Sequence, residues 1–391
     1  MLLMSWQLVM DGIQLKGITM YYHFILVEIL LSAATFISSI CGHNSESRFQ
    51  QREEMIFYKD SLLQGIKRPC PCNETKYCSR VETHPKKEIF IFSVSNHNWL
   101  KYDWTKVTTV VEFGYHDDDL LCHAHSKGVR ILSNVNIPVQ DLTNQRARHI
   151  WVQQRVETVK NYFLDGINVD FESAIPADRK DLKQGYTDYI TELKTTFKKH
   201  LPGAMVTVDV AWNSGGVDGR FYDYKRIADA SDFLFVMSYD ERSMRSYLKI
   251  GIPPAKLVLG VPWYGYRYPC MAYDTVTYHC WLKHVPFRGV NCSDAAGNEV
   301  DYGAIIKAYL PRSLTGRQWD KAAQSPFFIL KDSRSDRVIQ VWYDDPESLI
   351  IKYRLVSDLQ LGGLGMWNAD SLDYDDPKMT QSMWNAIPNL K

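Results

Sequence analysis

The chain has 391 residues, enough for one large barrel or two smaller domains. Its 45 basic and 45 acidic residues balance, so the net charge gives no reason to expect a nucleic acid or an anionic membrane as a partner. The 11 Trp and 23 Tyr offer surface on which sugar rings could stack, although burial in the core is the common fate of a single aromatic side chain.

The N-terminal 42 residues contain an apolar run, from Gly17 to Cys41, that is interrupted by His23 and Glu28. The run is typical of a secretory signal, and it is also long enough to cross a membrane as an anchor. We interpret residues 1–42 as a signal peptide or N-terminal extension and expect no membrane contact in the mature form. Residues 43–67 are polar, lack a periodic pattern and are interpreted as a linker.

Eight cysteines favour an oxidising compartment. Cys41 and Cys122 stand apart, and the other six form two clusters: Cys70, Cys72, Cys78 and Cys270, Cys280, Cys292. A Cys-x-Cys pair could bind a metal ion, but no further ligand pair lies at zinc-finger spacing, so we expect disulfides and no metal site. Loss of Cys41 with a signal would leave an odd number of thiols. Sequons for N-glycosylation at Asn73 and Asn291 agree with secretion.

From about Lys87, short β-branched runs alternate with segments of helical period. The predicted strands are residues 88–94, 108–113, 129–135, 166–172, 205–210, 233–238, 257–261 and 363–367. One intervening helix has Asp345 as its cap, Pro346 in its first turn and Gly362 at its end. Eight strand–helix units favour an α/β fold with a closed parallel (β/α)8 barrel, a TIM barrel, over residues 68–391.

Two connections depart from this alternation. The segment between Tyr264 and Val341 is too long for a loop, so we predict a small α+β insertion at about residues 266–340, between strands 7 and 8. By contrast, residues 239–256 form an unusually short sixth crossover, whose helix can use little beyond residues 241–250. We therefore expect strands 6 and 7 to be locally less stable than their neighbours.

The predicted fourth strand ends with three alternating polar residues, Asn168, Asp170 and Glu172. Alternation places them on one face at the carboxyl end of the strand, where the functional groups of parallel barrels gather. A second carboxylate nearby disfavours ionisation and would keep Glu172 protonated as a general acid. The alternative is a solvated surface strand, but the apolar residues between these three would then require burial by themselves.

The sequence Asp-Gly-Ile-Asn-Val-Asp-Phe-Glu at residues 165–172 resembles the Asp-Gly-x-Asp-x-Asp-x-Glu signature of glycoside hydrolase family 18, the chitinase family. Residues 237–240, 260–265 and 365–367 resemble the motifs of that family's sixth, seventh and eighth strands. Four motifs in the family's order are more specific than any one of them. Residues 70–72, 125–128, 285–289 and 292–297 are similar to a lysosomal branch that degrades the chitobiose core of asparagine-linked glycans.

The resemblance implies a retaining, substrate-assisted hydrolysis of β-1,4-linked N-acetylglucosamine, in which the substrate's acetamido oxygen attacks the anomeric carbon. Glu172 would protonate the leaving oxygen, Asp170 would align the acetamido group, and Tyr239 would bond that group from the opposite side. The other implied substrate contacts are Asp240, Trp367, Asn168, Met237 and Tyr264. For Tyr239 and Trp367, packing within the barrel is the alternative role.

The resemblance implies no metal or organic cofactor. The expected partner is an oligosaccharide that contains N-acetylglucosamine, bound by a monomer in the lysosome or elsewhere on the secretory route. Asp165 is five residues from Asp170, so alternation along the strand places its side chain on the other face. A structural or electrostatic role is therefore expected for Asp165.

Two departures from the family pattern affect the expected activity. The family's middle Asp is Asn168 here, which could donate an N–H to Asp170 but cannot share a proton between two carboxyls. The short sixth crossover begins with Tyr239 and Asp240 and could leave the site wall incomplete, as in a shortened splice form. The alternative function is therefore a non-catalytic, chitinase-like sugar-binding protein.

Overall fold

In the computed structural model, the described residues are 68–83, 85–238, 241–285, 294–332 and 335–390. The predicted signal, linker and Cys41 lie outside these ranges. Eight parallel strands close into a barrel in the order β1 to β7 and then β14, which confirms the predicted fold. Their bounds are β1 Glu88–Ser93, β2 Thr109–Glu112, β3 Arg130–Val135, β4 Gly166–Val169, β5 Met205–Val210, β6 Phe233–Met237, β7 Leu257–Pro262 and β14 Gly363–Trp367.

Helices follow most of the barrel strands and cover their outer faces. Their bounds are α1 Asp118–Ser126, α2 Gln145–Asn161, α3 Lys180–His200, α4 Tyr224–Asp229, α5 Glu241–Lys249, the single turn α6 Tyr302–Ala304, α7 Pro346–Asp358 and α8 Pro377–Ala386. The predicted cap of α7 is present, because the Asp345 side chain accepts from two backbone N–H groups. The helix ends at Asp358, four residues before Gly362. Gln360 has a φ of 52°, which lies outside the right-handed helical region, so the helix cannot continue through it. Across the described residues, no helix has both the length and the apolar character to cross a bilayer.

Aromatic rings fill the barrel interior. The rings of Phe90 and Phe92 lie 5.6 and 5.0 Å from that of Phe235, measured between centroids. Phe235 occupies the space that a side chain would need at Gly260 and Gly365, where an added Cβ would lie 2.5 and 2.8 Å from its ring. The glycines in two of the sequence motifs are therefore required by packing, because one large ring fills the volume beside both.

The short sixth crossover forms a complete helix, α5, of nine residues. Met244 and Tyr247 of α5 are fully buried. Leu234 and Val236, which point outward from β6, are also fully buried. The outer face of β6 is therefore closed to solvent although the crossover is short, and this burial argues against a locally weak strand.

The predicted insertion between the last two barrel strands contains a second, antiparallel sheet in the order β10-β8-β13-β12-β11, with β9 paired to β8. Its strands are β8 Tyr264–Tyr273, β9 Cys280–Leu282, β10 Asn298–Asp301, β11 Gln318–Asp320, β12 Ser325–Lys331 and β13 Val338–Tyr343. The sheet extends two or three residues beyond the predicted range at each end. One of its faces joins the main core through Phe328, Leu330 and Val341.

Three disulfides confirm the prediction from the cysteines: Cys70–Cys78, Cys72–Cys122 and Cys270–Cys280. The sulfur atoms of Cys70, Cys72 and Cys78 lie within 4.8 Å of one another, but bonded sulfurs offer no thiolate to a metal. Cys292 and the sequon at Asn291 lie outside the described residues. Asn73 is exposed on the segment that precedes the barrel.

Candidate active site

The signature segment leaves the sheet earlier than predicted. β4 ends at Val169, three residues before Glu172, where its pairing with β3 and β5 ends. The backbone N–H of Asp170 then donates one further bond, of 2.9 Å, to the Val135 carbonyl. Beyond that bond the chain turns out of the ladder, so the half-buried Asp170 and Glu172 lie at the carboxyl rim of the barrel.

Asn168 is fully buried in a polar cluster inside the barrel. Its amide N–H groups donate to Asn134 Oδ1 at 3.0 Å and to Asp209 Oδ2 at 2.7 Å. Its carbonyl accepts from the Thr207 hydroxyl at 2.7 Å. The predicted acceptor was Asp170; the strand register instead places Asn168 between Asn134 on β3 and Thr207 on β5.

Asp209 on β5 is a buried acid that the sequence analysis missed, and it is 4% exposed. Its Oδ1 atom is buried and has no hydrogen-bond partner among the described residues. Burial, and then the nearby Asp170 carboxylate, raise the pKa of Asp209 well above its usual range, while the bond from Asn168 opposes them. Its one signal in the sequence is an acid within the otherwise apolar run Met205–Val210, at the same parity as Thr207.

The Glu172 carboxylate forms an ion pair with Arg220, which lies between β5 and α4. The Arg220 side chain is 7% exposed, whereas that of Glu172 is 43% exposed. Burial opposes the charge of Arg220, but Glu172, together with Tyr222 and Asp218, outweighs burial, and the pKa of Arg220 is raised. The Glu172 carboxylate is therefore partly exposed to solvent while it is held by a buried guanidinium. Arg220 belongs to none of the four motifs, so the sequence analysis did not single it out.

Met237 and Trp367 end β6 and β14, and both are half-buried against the aromatic barrel interior. The Trp367 ring lies 5.2 Å from Phe92 and 4.7 Å from Phe113. Packing on one side therefore fixes a tryptophan whose remaining surface is free to meet a ligand. Tyr264, the first residue of β8, is half-buried, and Tyr239 and Asp240 lie outside the described residues.

Asp165 lies immediately before β4, away from this rim, and holds the segment that precedes β1 through hydrogen bonds. Its carboxylate accepts from the backbone N–H groups of Ile131 and Val81, both at 2.7 Å. It also bonds His125 Nε2 at 2.9 Å, while His125 Nδ1 bonds the Tyr77 carbonyl at 2.7 Å. Burial lowers the pKa of His125, but Asp165, together with Tyr77 and Glu112, outweighs burial, and the net change is upward. The first acid of the signature is therefore structural.

The sequence model of Glycosyl hydrolases family 18 matches residues 139–373. Di-N-acetylchitobiase of Mus musculus is 40% identical over 344 residues, which cover 81% of this chain and 92% of the mouse protein. Di-N-acetylchitobiase of Homo sapiens is 38% identical over 342 residues, which cover 81% of this chain and 88% of the human protein.

Solved structures show the same fold at low identity. A family 18 N-acetylglucosaminidase from Paenibacillus barengoltzii superposes with a TM-score of 0.62 at 16% identity, covering 77% of this chain and 100% of that one. A family 18 chitinase from Cycas revoluta in complex with (GlcNAc)3 gives a TM-score of 0.61 at 16% identity, covering 76% of this chain and 99% of that one.

Proposed function

Because the chain belongs to family 18 of the glycosyl hydrolases and is a glycoside hydrolase similar to the di-N-acetylchitobiases, we propose that it cleaves β-1,4-linked N-acetylglucosamine. Its substrates would be the chitobiose core of N-linked glycans and short chitin oligosaccharides. The observation that carries this proposal is the pair of acids at the barrel rim, where the Glu172 side chain is 43% exposed and within reach of a ligand.

In this proposal, the substrate's acetamido oxygen attacks the anomeric carbon while Glu172 protonates the leaving glycosidic oxygen. Asp170 accepts the acetamido N–H and stabilises the positive charge of the oxazolinium. Tyr239 holds the acetamido group from the other side. Trp367 forms the floor beneath the sugar, and Asp240, Met237 and Tyr264 line the rest of the site.

The ion pair with Arg220 fits the second half of this cycle. Once Glu172 has given its proton to the leaving group, it is a carboxylate, and the buried guanidinium of Arg220 stabilises that charge. The carboxylate then accepts a proton from the water that opens the oxazolinium. Two successive inversions at the anomeric carbon give net retention of configuration.

The disulfides and the exposed sequon at Asn73 support passage of the protein through the secretory pathway. The similarity to di-N-acetylchitobiases supports the lysosome as its final location. Residues 1–42 would serve as the signal. In the mature protein we expect a single chain to bind the oligosaccharide.

The decisive experiment measures hydrolysis of chitobiose and short chitin oligomers by the purified protein and by Glu172→Gln. The variant keeps the shape of the acid but cannot donate a proton, so turnover should fall by about a hundredfold or more while oligosaccharide binding persists. Glu192→Gln is the matched control, because Glu192 lies on α3 and bonds the exposed His149. Its turnover should equal that of wild type.

Proton NMR of the first product tests the mechanism. Retained configuration, together with no turnover of a glucose analogue that lacks the acetamido group, is expected. Near-normal turnover by Glu172→Gln would refute the assignment of the proton donor. Binding without hydrolysis by the wild type would favour the non-catalytic alternative, and an inverted product would refute acetamido attack.

A further inference from the structure

The buried polar cluster inside the barrel holds an acid on a strand other than the signature strand. Asp209 projects from β5 at the same parity as Thr207, which pairs with Asn168. One Asp209 oxygen accepts from Asn168 at 2.7 Å. The other oxygen, Oδ1, is buried without a partner among the residues that the structure describes. A carboxylate at this position would leave half of its charge unsatisfied.

The charged groups around Asp209 also disfavour its ionisation. Asp170 and Glu172, from the segment after β4, are both acidic, and their electrostatic effects on Asp209 are repulsive. Asn168 and Thr207 are neutral, as is Tyr186 of α3, a buried phenol whose own pKa is raised mainly by burial. The guanidinium of Arg220 is paired with Glu172. Within the described ranges, Asp209 therefore receives one neutral N–H bond and no ion pair.

We propose that Asp209 is a positioning residue that carries a proton beside Asp170, and so supplies from β5 the acid proton that Asn168 cannot supply from β4. Protonation of Oδ1 removes the negative charge that this buried oxygen would otherwise share without a partner. Asp170 can then remain a carboxylate beside a neutral acid, ready to accept the acetamido N–H. This role for Asp170 rests on the proposed function, whereas the proton on Asp209 does not.

This assignment accounts for the loss of the family's middle acid. The signature that residues 165–172 resemble has a carboxyl at its middle position, and here that residue is the amide Asn168. The Asn168 amide connects the two strands, because it accepts from Thr207 and donates to Asp209. One protonatable carboxyl thus remains beside Asp170, on the neighbouring strand.

Infrared spectroscopy tests the proton directly and without substrate. Protein labelled with 13C at the Asp carboxyl groups should show, at about pH 7, the carbonyl band of a protonated acid, although an ordinary Asp is then ionised. The band should disappear in Asp209→Asn. It should persist in Asp232→Asn, the matched control, because the Asp232 carboxylate is paired with Lys194. Absence of the band in wild type would overturn the proposal, whatever the activity.

Kinetics with chitobiose tests the positioning role. In Asp209→Leu, kcat should fall by about tenfold or more with little change in KM, since Asn168 loses its acceptor and Asp170 loses the protonated acid beside it. Asp209→Asn keeps a neutral donor and should stay within about tenfold of wild type. The double variant Asn168→Asp with Asp209→Asn returns the acid to β4 and should recover the wild-type pH profile, which a purely structural role would not predict.

The outcomes separate this proposal from the proposed function. Unchanged kcat and pH profile in Asp209→Leu would overturn the positioning role. A protonated Asp209 in a protein that does not hydrolyse chitobiose would support the buried proton and overturn the proposed function instead.

Discussion

His116, between β2 and α1, gives the chain a stability that depends on pH. Its Nδ1 lies 2.8 Å from Glu112 Oε2 and its Nε2 lies 3.0 Å from Asp118 Oδ1. Burial by itself would lower the pKa of His116, but the two carboxylates outweigh it and raise the pKa to about 9. Both ring nitrogens face carboxylate oxygens, so the folded protein stabilises the protonated imidazolium over the neutral ring.

The magnitude follows from linkage between protonation and folding. The unfolded pKa is 6.5 and the folded one about 9, and at roughly 1.4 kcal/mol for each pH unit the gap corresponds to about 3 kcal/mol. Little of this is lost to solvent screening, because the His116 side chain is 16% exposed. Since the folded pKa is the higher one, the stabilisation is complete below pH 6.5 and is lost as the pH rises towards 9.

The variant His116→Gln should therefore lower the free energy of unfolding by about 3 kcal/mol at acidic pH and by much less at alkaline pH. Urea denaturation with the disulfides intact, followed by tryptophan fluorescence at several pH values, measures this difference. His149→Gln is the control, because the His149 side chain is 61% exposed and pairs with the single carboxylate Glu192. A loss in His116→Gln that stays the same at acidic and alkaline pH would refute the argument.

Two further predictions concern the barrel and its site. Amides of β6 should exchange with solvent within about tenfold of those of β4, because Leu234 and Val236 on its outer face are fully buried. Exchange a hundredfold faster would mean that the short crossover weakens the barrel. Trp367→Ala should raise KM for chitobiose by about tenfold with a smaller change in kcat, since the sugar loses its stacking surface. The control Trp319→Ala, in the insertion, should leave both constants unchanged. Equal effects of the two substitutions would show that Trp367 is not part of the site.

The sequence predicted the barrel well because periodicity and alternation are local properties. All eight strands lie within a few residues of their predicted positions. The main error in a strand was the end of β4, which was predicted at Glu172 and lies at Val169. Alternation shows which side chains share a face, but the length of a strand depends on how far its neighbours continue, and the pairing of Val169 with Val135 is the last in that ladder.

Contacts between distant segments could not be predicted in the same way. Asp209 and Arg220, on β5 and after it, meet the signature segment only because β5 pairs with β4, and neither belongs to a motif. The pairing of the cysteines was likewise open, because spacing alone does not say that Cys72 meets Cys122 and not its near neighbours. The small number of residues in the sixth crossover likewise did not predict that Leu234 and Val236 of β6 would be fully buried.

The bond between Cys72 and Cys122 has a consequence for synthesis of the chain. Cys122 follows Cys72 by 50 residues, so at 5–20 residues per second it emerges about 3–10 s later. During that interval Cys70, Cys72 and Cys78 are present without the fourth partner. Tyr77 and Val81 can engage His125 and Asp165 only after still more of the chain has been made. An oxidant that acts too early would trap a wrong pair among the first three cysteines, and the yield of native protein would depend on an isomerase.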